Sequence, residues 1–202
     1  MDGLLFFRPG QPGYLTLQRA VAHRYACAFG AHPVPSPDEF MCLADPRADA
    51  PGHACVGLCA KGSGKLFSEY YLDDPLCPPG AHRPRWVEIG QMASFAGRGS
   101  GAYLMYKVLQ YLSQGLADRV VLTGTGRVRR LLEALQVGTR DLGPARRERV
   151  RDRDVDWGRY YEHEPRVVAI DLRSDVRWLR EPPWTPPPLP HVENVVTKSN
   201  AA

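Results

Sequence analysis

Apolar positions along the chain follow two periods. Leu17, Ala20, Val21, Tyr25 and Ala28 recur at helical spacing, which predicts a helix over 14–29 after the PGQPG turn. Short apolar runs predict strands at 4–8 (LLFFR), 39–45 (EFMCLAD), 53–60 (HACVGLCA) and 66–72 (LFSEYYL). The second and third of these are expected to pair antiparallel, and the KGSGK turn at 61–65 leads into the fourth. Beyond the Pro-rich stretch DDPLCPPGAHRP the rhythm changes to a strand at 85–94 (RWVEIGQMAS), a helix at 101–115, a strand at 119–124 (RVVLTG) and a helix at 127–135. A polar and aromatic segment at 152–165, with room for a short helix, precedes a last strand at 166–172 (RVVAIDL). An antiparallel run followed by strand–helix alternation predicts an α/β fold in which helices flank one mixed sheet. Residues 1–178 are read as one domain. Residues 179–202 are read as a tail, because six prolines within Pro182–Pro190 rule out a regular helix or a central strand.

Composition narrows the function classes. At 202 residues, 44% hydrophobic and 24% charged, the chain suits one domain with a sizeable core. A net charge of +4 demands no nucleic-acid partner. Five cysteines without CxxC spacing argue against a disulfide scaffold and a structural zinc site. His53, Cys55 and Cys59 alternate along one predicted strand and read as core groups rather than as a metal cluster. No apolar run reaches the length of a membrane-spanning helix, and the N-terminal residues lack signal-peptide character, so a cytoplasmic location is expected.

The richest local signal is FAGRGSG at 95–101, between a predicted strand and a predicted helix. A helix start offers unpaired N–H donors, glycines permit close approach, and Arg98 adds a fork suited to phosphate. Neither GxGxxG nor the P-loop pattern is met: at 59–66, Cys59 and Leu66 stand where the P-loop needs Gly and Ser/Thr. Ahead of this junction, Trp86, Glu88, Gly90, Met92 and Ser94 alternate with Val87, Ile89 and Ala93, so Glu88 is expected inside a strand buried on both faces. Burial raises a carboxylate pKa toward a value useful for proton abstraction, which makes Glu88 the candidate general base; pairing with an arginine is the structural alternative. Glu69 is a second carboxylate in an apolar run, suited to binding an amine or to a solvated edge strand. Tyr160, with Tyr161 and Tyr103 as alternatives, could donate a proton to a leaving group or simply pack. Ser100 and Cys59 lack the GxSxG or Cys/His setting of a nucleophile, so direct transfer is favoured.

The segment Arg98-Gly99-Ser100-Gly101 resembles the start of the coenzyme A loop of GNAT acyltransferases, [QR]-x-x-G-x-[GA], with Tyr103 in place of the last small residue. FSEYYLDDPL, RWVEIGQMAS, VLTGTGRVRRLLEAL and WGRYYEHEPRVVAIDL resemble, in order and spacing, the thermostable hemolysin family. Typical members have Asn and Leu where this chain has Gln91 and Met92. That family looks like a branch of the GNAT-like acyltransferase fold, and its VEIG strand is similar to one in acyl-homoserine-lactone synthases. The resemblance implies a GNAT-like mixed sheet with splayed central strands. It also implies a thioester substrate, on coenzyme A or on the phosphopantetheine of an acyl carrier protein, whose acyl group passes to a small-molecule amine in a specialised biosynthetic pathway. Met92, Ser94, Ala96, Arg98, Gly99, Ser100 and Gly101 would line the path of pantetheine and phosphates, with no metal. The family name keeps a membrane-active, hemolysin-like protein open, and fold alone leaves room for a non-acyl-transfer enzyme.

Overall fold

The computed structural model describes residues 4–43, 52–62, 64–77, 84–96, 99–150 and 155–174. The proposed tail therefore lies outside the described residues, as do Gly97 and Arg98 of the Gly-rich junction. The strands are β1 (Leu4–Phe7), β2 (Glu39–Leu43), β3 (Ala54–Ala60), β4 (Trp86–Ser94), β5 (Arg119–Gly124), β6 (Arg140–Pro144) and β7 (Arg166–Asp171). They form one sheet in the order β1-β2-β3-β4-β5-β7-β6. Among the described residues three α-helices flank it: α1 (Pro12–Phe29), α2 (Ser100–Ser113) and α3 (Gly126–Ala134). Only β4 and β5 run parallel, because α2 carries the chain back across the sheet between them; every other pair is antiparallel.

Each sheet face buries its own set of side chains. Met41, Val56, Val87, Ile89 and Val120 pack against Leu104, Val108 and Leu109 of α2 and Leu132 of α3. On the opposite face, Phe40, Cys42, Cys55 and Ala93 meet Tyr14, Leu17 and Val21 of α1. Further along that face, Trp86, Val121, Val167 and Ala169 lie with Leu66 and Tyr71. The helical stripe of α1 thus buries Leu17 and Val21 fully, whereas Ala28 is exposed.

Two elements depart from the sequence-based expectation. Residues 66–72 are not a strand: Phe67–Tyr71 form a 3-10 turn. The reason lies in where the backbone donors go. Leu66 N–H donates to Glu69 (2.8 Å), Phe67 N–H to Glu88 Oε2 (2.7 Å) and Ser68 N–H to Glu88 Oε1 (2.9 Å), so carboxylates replace a neighbouring strand. Conversely, β6 was not foreseen, because RDLGP is largely polar and holds Gly143 and Pro144. It is an edge strand, where one lost ladder bond is tolerated.

Candidate active site

The site forms where β4 and β5 part. β4 pairs with β5 only through Trp86, Val87 and Glu88, opposite Arg119, Val120 and Val121. Past Glu88, β4 continues alongside β3 alone, while Leu122, Thr123 and Gly124 of β5 pair only with β7. The facing edges of the two strands are unpaired there, which is the splay that the family resemblance implies.

A β-bulge adds to the divergence. Gly90 pairs with Gly57 and Ala93 with Cys55, so Gln91 and Met92 together oppose Val56, and Gln91 takes φ 52°. The extra residue reverses the in–out alternation. Met92 packs with Val87 and Ile89 on the α2 face, and Ala93 joins the α1 face. The expected placement of Met92 and Ser94 on the face of Glu88 is therefore overturned; a strict period of two cannot survive a bulge. Gly57 makes room for this geometry, since a Cβ there would sit 2.8 Å from the Pro37 ring and collide with the Gln91 side chain.

Glu88, 6% exposed, lies at the end of the paired stretch. Oε1 accepts hydrogen bonds from Ser68 N–H (2.9 Å) and Ser68 Oγ–H (2.5 Å), and Oε2 accepts from Phe67 N–H (2.7 Å). Because the Ser68 hydroxyl hydrogen is committed to Glu88, the Thr123 hydroxyl 2.9 Å away donates to Ser68 Oγ. Burial pushes the Glu88 pKa above the ordinary carboxylate range, against the opposing pull of the Ser68 and Phe67 donors. These donors are neutral, and among the described residues no arginine pairs with Glu88. Among the described residues Phe67 is the one donor to Oε2, which has a second acceptor position.

A cavity of about 590 Å³ opens on this carboxylate. Glu88, Ile89, Gly90 and Gln91 of β4 and Thr123 of β5 line one side. Phe67, Trp157, Tyr160 and Tyr25 supply an aromatic wall, and Pro33, Val34 and Pro35 also line the cavity. Trp157 and Tyr160 are positioned by docking of their segment on the end of α1. His32 N–H donates to Asp156 O (2.7 Å) and Arg159 N–H to Phe29 O (2.8 Å). Gly158 takes φ 45° there, pressed so close that a Cβ would lie 2.6 Å from Gly30 O.

The remaining candidates are distributed as follows. Tyr160 is 7% exposed, lines the cavity and donates to Thr123 O at 3.4 Å; burial holds its phenol well above the usual pKa. Tyr161 instead bonds Tyr71 through the hydroxyls (2.7 Å), and Tyr103 packs on the α2 side. Glu69 is nearly fully buried and is not among the cavity-lining residues. Lys61 Nζ lies 2.5 Å from its Oε2, and Leu66 and Leu76 N–H groups donate to it. Burial works to raise its pKa, but the Lys61 pair and these donors hold it below the ordinary value.

At the Gly-rich junction, Gly99 has φ 99° and precedes the first turn of α2. The Ser94 and Ser100 hydroxyls are 2.6 Å apart, and Ser100 Oγ donates to Ala96 O at 2.7 Å, tying the end of β4 to the helix start. Thr125 occupies the N-cap position of α3, but its side chain makes no capping bond. Ser68, Gln91, Phe67 and Trp157 were not singled out as site residues from the sequence. Only Gln91 carried a signal, in that Asn, which typical family members have there, tolerates positive φ better.

The mixed sheet with parted central strands defines a GNAT-like α/β protein. The thermostable hemolysin family model matches residues 7–176, and the chain belongs to that family. Its fold is similar to that of TofI in an apo form (15% identity, TM-score 0.57, covering 89% of this chain and 97% of TofI). It is also similar to FeeM, an N-acyl amino acid synthase from uncultured soil microbes (12% identity, TM-score 0.55, 87% and 92% coverage). The AHL synthase LasI is a third such structure (14% identity, TM-score 0.55, 84% and 89% coverage). No curated protein matches the sequence. Among the described residues no helix is long and apolar enough to cross a membrane.

Proposed function

We propose that this protein is an N-acyltransferase that moves an acyl group from a coenzyme A or acyl-carrier-protein thioester to an amine, in a specialised biosynthetic pathway. The observation that carries the reading is the buried Glu88 carboxylate, with no ionic partner among the described residues, lining a cavity where the two central strands part. The fold shared with FeeM and LasI, whose names describe an N-acyl amino acid synthase and an AHL synthase, supports the same class.

In this reading the thioester arm enters between β4 and β5, where its amide groups meet the unpaired edges of the strands. Met92, Ser94 and Ala96 flank the arm. Arg98 and the backbone N–H groups of Gly99, Ser100 and Gly101 hold the phosphates at the start of α2. Glu88 accepts the amine proton, with its remaining Oε2 position aimed at the nitrogen. Tyr160, kept protonated by burial, is the donor to the leaving sulfur. Glu69 supports the 3-10 turn that supplies the Glu88 donors, a positioning task rather than a chemical one.

Mass spectrometry after incubation with a panel of acyl-CoA and acyl-carrier-protein thioesters and mixed amines tests the reading. Amide products that vanish with Glu88→Gln are expected. Absence of amide from every thioester, together with leakage of liposomes by the purified protein, would replace it with the lytic reading.

A further inference from the structure

We propose that the cavity beside Glu88 is the acceptor subsite, and that its acceptor is a primary amine with an aromatic body and no carboxylate. The inference rests on the acyltransferase reading for its chemistry and on the cavity alone for its selectivity.

The charges around the cavity are asymmetric. Among its described lining residues, Glu88 and Asp38 are carboxylates and Lys65 is the one cation. Lys65 is exposed, with its ammonium 5.9 Å from the centre of the Tyr70 ring. No guanidinium, the group whose two-pronged bond commonly holds an α-carboxylate, is among the described lining residues. An acceptor carboxylate would instead meet two like charges. An ammonium, by contrast, meets two carboxylates.

The walls specify the rest of the molecule. Phe67 and Trp157 have ring centres 5.8 Å apart, Trp157 and Tyr160 5.5 Å, and Tyr160 and Tyr25 6.2 Å, a continuous aromatic surface. Pro33 and Val34, the latter 76% exposed, also line the cavity. A flat ring can stack on this aromatic surface, and the π faces also attract the ammonium. The Thr123 hydroxyl donates to Ser68, so it presents lone pairs toward the cavity and can accept an N–H.

The step balances as follows. The neutral amine nitrogen forms a bond to the thioester carbonyl carbon and the C–S bond breaks, the electron pair leaving on sulfur. One proton passes from nitrogen to Glu88 and one returns to sulfur, giving an amide and a thiol.

Calorimetry on the full-length protein with tryptamine and tryptophan, which differ only in the carboxylate, tests the selectivity; hexylamine tests the aromatic requirement. Tryptamine is expected to bind about tenfold or more tighter than either. Trp157→Ala should weaken tryptamine about tenfold, while Trp157→Phe, which keeps the wall, should stay within about threefold. Tryptophan or hexylamine binding as tightly as tryptamine, or no binding of tryptamine, overturns the inference. Acyl transfer to tryptophan in preference to tryptamine sinks the acceptor inference and leaves the acyltransferase reading intact. Tryptamine binding without any thioester binding sinks the acyltransferase reading and leaves the amine subsite standing.

Discussion

The two ends of the β4–β5 pair are built from opposite materials. At the closed end, Asp118 accepts hydrogen bonds from Arg85 N–H (2.8 Å) and from the guanidinium groups of Arg85 and Arg173 (3.0 and 2.6 Å). Its backbone joins Arg85 and Leu172, so β4, β5 and the exit of β7 are pinned at one residue. The Arg85 guanidinium and backbone N–H, helped by Arg173, hold the Asp118 carboxyl well below the usual carboxylate range. At the open end, a carboxylate of equal formal charge is surrounded by neutral donors, burial raises its pKa, and the strands diverge around empty volume. The difference separates two uses of a carboxylate: charge paired with charge closes the sheet, whereas charge held by dipoles suits the base role proposed for Glu88.

That contrast is sharpest if Glu88 is changed. Glu88→Gln should lower kcat/KM about a hundredfold or more, the range for loss of a general base, with thioester binding retained. In the wild type, kcat/KM should rise as pH climbs through a pKa above the ordinary glutamate value, and this limb should disappear in the variant; an unchanged profile would remove Glu88 from the chemistry.

Next in size is Gly57→Ala, which forces Pro37 and Gln91 aside. Overpacking of this kind costs about 1–3 kcal/mol, so urea unfolding should show a lower midpoint, with the cavity altered as well. At the closed end, Asp118→Asn should flatten the acid limb of stability without touching turnover. A carboxyl with a depressed folded-state pKa stabilises above its unfolded pKa and loses that contribution as pH falls through the folded value. Tm measured from pH 7 down to about pH 2 should therefore converge for the two proteins in acid. Smallest is Gln91→Asn: the new residue suits φ 52° better and should raise stability by about 0.5 kcal/mol. A fall in Tm would mean that the Gln91 side chain supports the bulge.

Legibility in the sequence followed the range of the interactions. β4, α2 and β5 stood out because their apolar periods are long and bounded by Gly or polar turns. Glu88 stood out as a charge inside such a run. The 66–72 segment was misassigned because its composition is strand-like while its backbone donors are taken by Glu69 and Glu88, the latter 20 residues from Ser68. β6 was missed because an edge strand needs little apolar pattern. The aromatic wall was missed because Tyr25, Phe67 and Trp157 lie on three separate segments.

By itself, the sequence determined the order of the three helices and of every strand but β6, the strand that carries Glu88 and the glycine-bearing turn behind it, since period and turn chemistry act over neighbouring residues. Tertiary structure alone decided which way that strand faces after Gln91, which neutral donors surround Glu88, and that a cavity rather than packed side chains lies beside it. Those outcomes depend on a bulge set by the register against β3 and on contacts between segments far apart in the chain, where local periodicity carries no information.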